Sequence, residues 1–77
     1  MRTMEFTIED NWNMLEIGQE VNVIESKLPT SYYYTIENAL GMSKNYSNHE
    51  KLKTICGTVI DKRHDERFDI AVLEFDE

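Results

Sequence analysis

The sequence predicts a mainly β fold: a small barrel with an extra strand at its N-terminus and a long, partly helical excursion between strands. Three observations lead there. Met4, Phe6 and Ile8 alternate with Glu5, Thr7 and Glu9; the run Thr54–Asp61 is rich in β-branched residues; and Phe68–Asp76 has a continuous apolar centre. With 77 residues there is room for a single domain, 1–77, and for a core too modest to surround a deep catalytic cleft.

The period-two alternation makes Met4–Ile8 a half-buried strand, expected to add to a barrel edge or to pair with a second copy in a homodimer. Asp10-Asn11 supplies turn chemistry. A second strand follows in Gly18–Ile24, where Val21 and Val23 face one way and Glu20 and Asn22 the other, and Pro29 stops it. Residues 25–53 form the excursion. Tyr32-Tyr33-Tyr34 suits a strand or a short helix, Ile36, Ala39 and Leu40 have helical spacing with Gly41 as a stop, and Ser47 with Glu50 fits a capping box. In Thr54–Asp61 the internal Gly57 suggests a bulge, a bend or a close backbone contact. A charged turn, Lys62–Arg67, joins it as a hairpin to a last strand whose apolar centre implies burial on both faces.

Charge is unevenly distributed within a formal net of −7. Residues 1–25 carry six acids against Arg2, residues 26–53 four lysines against two acids, and residues 54–77 seven acids against three bases. If the two ends meet in space, their carboxylates form one negative surface. No apolar run approaches a membrane span or a signal-peptide core, and a lone cysteine suits a reducing compartment, so a cytoplasmic protein without membrane contact is expected.

The residues from Gly18 onward resemble the KOW type of SH3-like barrel: Gly18-Gln19-Glu20-Val21-Asn22-Val23-Ile24 as first strand, Gly57-Thr58-Val59-Ile60-Asp61 as second and Ile70-Ala71-Val72-Leu73-Glu74-Phe75-Asp76 as third. The resemblance covers about half the chain and implies a small barrel bound to RNA or to a transcription or translation complex. Two departures stand out: the excursion is long, and the bases that such domains use on nucleic acid are outnumbered by acids. In size and charge the chain also resembles the small acidic inhibitors that bacteriophages direct at host proteins.

Chemistry-bearing motifs are sparse. Cys56, His49 and His64 lie seven and eight positions apart, without the close pairing of a structural zinc site, so Cys56 is expected to be a small buried residue and both histidines to sit on exposed turns. The three glycines are scattered, not gathered in a phosphate loop, and the acids alternate outward from strands where water keeps them ionised. No enzymatic activity and no cofactor are expected. Tyr32–Tyr34 with Lys27, Lys44, Lys51 and Lys53 could stack bases and hold phosphates, but the acidic ends oppose a polyanion, so direct nucleic-acid binding is not expected. The leading expectation is a non-enzymatic, acidic interaction protein: a DNA mimic that inhibits a basic nucleic-acid-binding protein through Glu9, Asp10, Glu16, Glu20, Glu74 and Asp76. Alternate residues on a strand face recur about every 6.5–7 Å, of the order of phosphate spacing. The alternatives are a KOW-like module using Tyr32–Tyr34 and the lysines, or a structural adaptor using the N-terminal strand.

Overall fold

The computed structural model describes residues 1–10, 12–37, 40–64 and 66–77, with the backbone alone at Asp10 and Leu40. Six strands, β1 (Arg2–Asp10), β2 (Glu20–Lys27), β3 (Tyr32–Ile36), β4 (Leu40–Ser43), β5 (Cys56–His64) and β6 (Asp69–Phe75), form a closed antiparallel barrel in the order β1-β4-β3-β2-β5-β6. This architecture is compatible with an SH3-like barrel. No helix among the described residues is long and apolar enough to cross a membrane.

The alternation predicted for β1 is present, with Met4, Phe6 and Ile8 all buried. The strand is not an added edge, however. It pairs with β6 from Arg2↔Phe75 to Ile8↔Asp69 and with β4 from Phe6↔Ser43 to Asp10↔Leu40, so it is an integral stave flanked on both sides. On the β4 side the ladder begins only at Phe6, so Arg2–Glu5 have no ladder partner there among the described residues.

The excursion is strand where helix was expected, and no α-helix occurs among the described residues. In β3, Tyr34 and Ile36 enter the core while Tyr33 and Thr35 face outward, because aromatic and β-branched side chains fit a pleated wall. Leu40 and Gly41 belong to β4, and the Ala39 of the expected helical spacing lies outside the described residues, as does Asn11 of the first turn. The capping box at Ser47 and Glu50 closes a single 3-10 turn, Asn48–Glu50, in which the Glu50 carboxylate accepts hydrogen bonds from the Ser47 N–H and hydroxyl. A second 3-10 turn, Trp12–Met14, follows β1.

The expected β5/β6 hairpin is formed. Strand pairing extends to His64↔Asp69, which shortens the turn from the predicted Lys62–Arg67; Asp65 lies outside the described residues. The bulge falls at Ile60, between Val59↔Leu73 and Asp61↔Val72, and not at Gly57. Gly57 instead allows a close approach: a Cβ there would come within 2.7 Å of the Phe75 ring. Because Gly57 takes the inward position, Cys56 points outward and is exposed, contrary to the expected burial. In β6 only one face is buried, by Ala71, Leu73 and Phe75, while Ile70, Val72 and Glu74 are half-buried on the outer wall.

Each mouth of the barrel is plugged differently. At one, Trp12 donates its indole N–H to the Ile70 carbonyl (3.2 Å) and lies under the Lys62 ammonium, 4.3 Å from the ring centroid. At the other, the Tyr34 hydroxyl accepts the Leu52 N–H (2.7 Å) and donates to Glu25 (3.0 Å), which ties the 3-10 connection across the opening.

Val59 is fully buried and Val72 is not. Val59→Ala should therefore cost about 1–3 kcal/mol of stability and Val72→Ala less than about 1 kcal/mol, read from thermal melts of the two variants. Equal losses would contradict the facing of β5 and β6.

Candidate functional site

Strands β1, β6, β5 and β2 present one continuous outer wall. Register places Thr3, Glu74, Thr58 and Glu20 in one row across it and Glu5, Val72 and Asp61 in the next. Neighbouring strands are about 4.8 Å apart, so the backbones at Glu74 and Glu20, two strands from each other, are about 10 Å apart. Among the described residues, Arg63 of β5 interrupts the wall: it pairs with Glu5 and lies 3.8 Å from Asp61.

The six predicted residues divide on this framework. Glu20 is exposed at the start of β2, Glu74 is half-buried on the outer face of β6, and Asp76 is exposed just beyond it. Glu16 is also exposed, but it stands in the connection after Trp12–Met14 and not on a strand; its N–H donates to the Gln19 side chain (2.9 Å). The Gly18 N–H donates to the Val59 carbonyl (2.7 Å) and so holds this connection against β5, with Gly18 in the left-handed region at φ 92°. Glu9 is exposed on β1 six residues beyond Thr3, about 20 Å along the strand from the Glu74 row. The Asp10 side chain lies outside those described. The fold thus places Glu20 and Glu74 in one row on the wall shared by β2, β5 and β6, with Asp76 just beyond β6 and Glu16 in the connection held against β5, and leaves Glu9 apart.

Sequence reasoning missed Glu5 and Asp61. The alternation around Met4 and Phe6 already placed Glu5 outside, whereas Asp61 faces outward only because the Ile60 bulge resets the strand, and nothing in the sequence located that bulge.

The cations gather at the mouth closed by Tyr34 and Leu52. Arg2 and Lys44 approach the Tyr46 ring, at 5.4 and 5.3 Å from its centroid, and Lys51 lies 5.3 Å from that of Tyr32. Lys27 pairs with Tyr32 across β2 and β3, and Lys53 adjoins the same connection. Two of the acids there are already engaged: Glu25 by Lys51 (3.7 Å) and Glu77 by Arg2 (3.3 Å). Five of the eight bases thus stand at this end of the barrel, together with Glu25, Glu50, Glu77 and, one residue before Glu77, Asp76. Of the tyrosine triplet, Tyr34 is buried structure, and the Tyr32 ring already carries Lys51.

Glu77 fastens the chain's last residue to this mouth. Its carboxylate accepts the Lys53 and Thr54 N–H groups (2.8 and 2.9 Å) and the Thr54 hydroxyl (3.1 Å), besides meeting Arg2. Burial pushes this carboxyl's pKa up, but the hydrogen bonds together outweigh it and hold the pKa below the usual carboxylate value. Among the described residues no group of three or more His, Cys, Asp or Glu side chains is placed to hold a metal ion.

No family model matches the chain, and neither does any curated protein or solved structure.

A carboxyl whose folded pKa is depressed stabilises above its unfolded pKa and loses that contribution as pH falls through the folded value. Glu77→Gln should therefore melt below the parent protein at neutral pH, with the gap narrowing once pH drops beneath the usual carboxylate range. Melting curves across pH 2–7 measure this; a gap independent of pH would show that the charge of Glu77 does not hold the clasp.

Proposed function

We propose that this protein is a non-enzymatic, acidic interaction protein whose outer wall on β2, β5 and β6 occupies the nucleic-acid-binding surface of a basic protein and so inhibits it. The observation that carries the proposal is the segregation of charge: most of the cations surround one mouth, and Glu16, Glu20, Glu74 and Asp76 stand on or beside a wall interrupted by few bases. The strands fix the backbone spacing of Glu20 and Glu74, so that on binding only side-chain freedom is lost, which favours a ligand that must match a preformed basic groove.

The mechanism is competitive occupation. Lysines and arginines of the partner would exchange phosphate contacts for the Glu20, Glu74, Asp76 and Glu16 carboxylates, with Glu5 and Asp61 held back by Arg63. Opposite charges speed encounter and set orientation, and exposed pairs weaken in salt because the screening length is only about 10 Å at 0.1 M.

The test is capture from nuclease-treated bacterial lysate at low salt, followed by competition with duplex DNA. Basic DNA-binding proteins should be retained, should elute as salt rises, and should be displaced by DNA. The triple variant Glu20→Gln, Glu74→Gln, Asp76→Asn should keep the parent's melting behaviour and bind the captured partner at least about tenfold more weakly, since several charge-assisted contacts are removed together. Unchanged affinity would overturn the proposal.

A further inference from the structure

The barrel is closed, yet one seam opens into a fork. β1 pairs with β6 along Arg2–Ile8, but its ladder with β4 begins only at Phe6↔Ser43, so Arg2–Glu5 have no ladder partner on that side among the described residues. The chain beyond Ser43 leaves β1 and joins β3 instead, where Tyr32 and Tyr46 exchange backbone hydrogen bonds of 2.7 and 2.8 Å. A groove of about 570 Å³ runs from these diverging segments, where Thr3, Glu5, Lys44 and the buried Met4 and Tyr46 line it, onto the paired part of β1 and β4 at Thr7 and Met42.

We propose that this fork is a second binding site, which takes an extended, acidic peptide segment of a partner protein as an added strand against Arg2–Glu5. Along any strand, alternate residues turn their N–H and C=O groups to opposite sides, so two of these four present theirs to the groove. Such an edge needs another backbone to pair with, and strand addition is the mode that supplies one. Side-chain chemistry sets the rest. Met42 is 49% exposed at the lip, and the Lys44 ammonium, held over Tyr46, forms no ion pair among the described residues. A peptide carrying an apolar residue beside a carboxylate complements both, and the lysines around this mouth favour a negative ligand there, while the Glu5 carboxylate on the groove's β1 side is already paired with Arg63. Nucleic acid fits less well: the Tyr32 and Tyr46 rings, which would have to stack bases, already carry ammonium or guanidinium groups.

The experiment titrates the full chain into a fluorescein-labelled peptide of sequence Thr-Glu-Val-Thr-Val-Glu-Thr, followed by anisotropy, with amide chemical shifts of the protein recorded in parallel. The expected result is saturable binding, shifts concentrated at residues 2–5 and 42–44, and an affinity at least about tenfold lower for the same peptide methylated on alternate backbone nitrogens, which removes the donors strand pairing needs. Lys44→Gln, a surface change whose folding is checked by circular dichroism, should lower affinity for the acidic peptide but not for a version with both Glu replaced by Gln. No binding at millimolar peptide, equal binding of the methylated peptide, or tighter binding of a ten-residue oligothymidylate would each overturn the inference. The triple variant of the acidic wall should bind the peptide at least as tightly as the parent does, because Glu74 pairs with Thr3 beside the groove and its neutralisation removes a repulsive charge, so failure at the fork and failure at the wall are separately visible.

Discussion

Everything else in this barrel depends on the first strand pairing with the last. Seven consecutive residue pairs, from Arg2↔Phe75 to Ile8↔Asp69, close a sheet that would otherwise end in two long open edges. Closure also decides which side of each strand is inside. Met4, Phe6 and Ile8 meet Leu73, Ala71 and Phe75 in a core whose members are almost wholly shielded from water, and burial of this kind is the main favourable term for so short a chain. By the same parity, Glu5 and Glu74 are forced onto the outer wall.

The charge pattern follows from that geometry. Chain ends that are both acidic in sequence become neighbours, and the mildly basic middle is wrapped around the mouth at which Arg2 and Glu77 also stand. There the lysines lie over tyrosine rings, which hold the cations by their π-faces and let the methylene stems cover the plug. A net of −7 thus conceals two surfaces of opposite character on one small body. The wall and this mouth adjoin at Thr3, which pairs with Glu74 across β1 and β6 and also lines the fork.

Much of the barrel was legible in the sequence wherever one face of a strand is buried and the other wet. Met4–Ile8, Val21 and Val23, and the β5/β6 hairpin follow from alternation, because a slip of one residue would expose an entire apolar set. The excursion was misread as partly helical because Ile36, Ala39 and Leu40 satisfy helical spacing locally, whereas β3 and β4 are settled by partners distant in sequence: Tyr34 by Leu52 and Glu25, Met42 by Thr35 and Thr7. Cysteine is usually buried, but the direction of Cys56 depends on Gly57 yielding space to Phe75; the glycine signals a close approach, whereas its partner Phe75 is invisible to local pattern. Of the candidate site, Glu20, Glu74 and Asp76 were readable from strand parity. Glu9 stands apart from them because adjacency of two strands says nothing about which ends of them coincide.

Cross-strand nuclear Overhauser effects between residues 2–8 and 69–75 test the closing pair of strands most directly. Antiparallel pairing in the register Arg2↔Phe75 to Ile8↔Asp69 predicts contacts between residues whose numbers sum to 77, with slowly exchanging amides in both strands. Random-coil shifts and fast exchange over residues 2–8, or contacts in another register, would contradict the barrel and the placement of its charges.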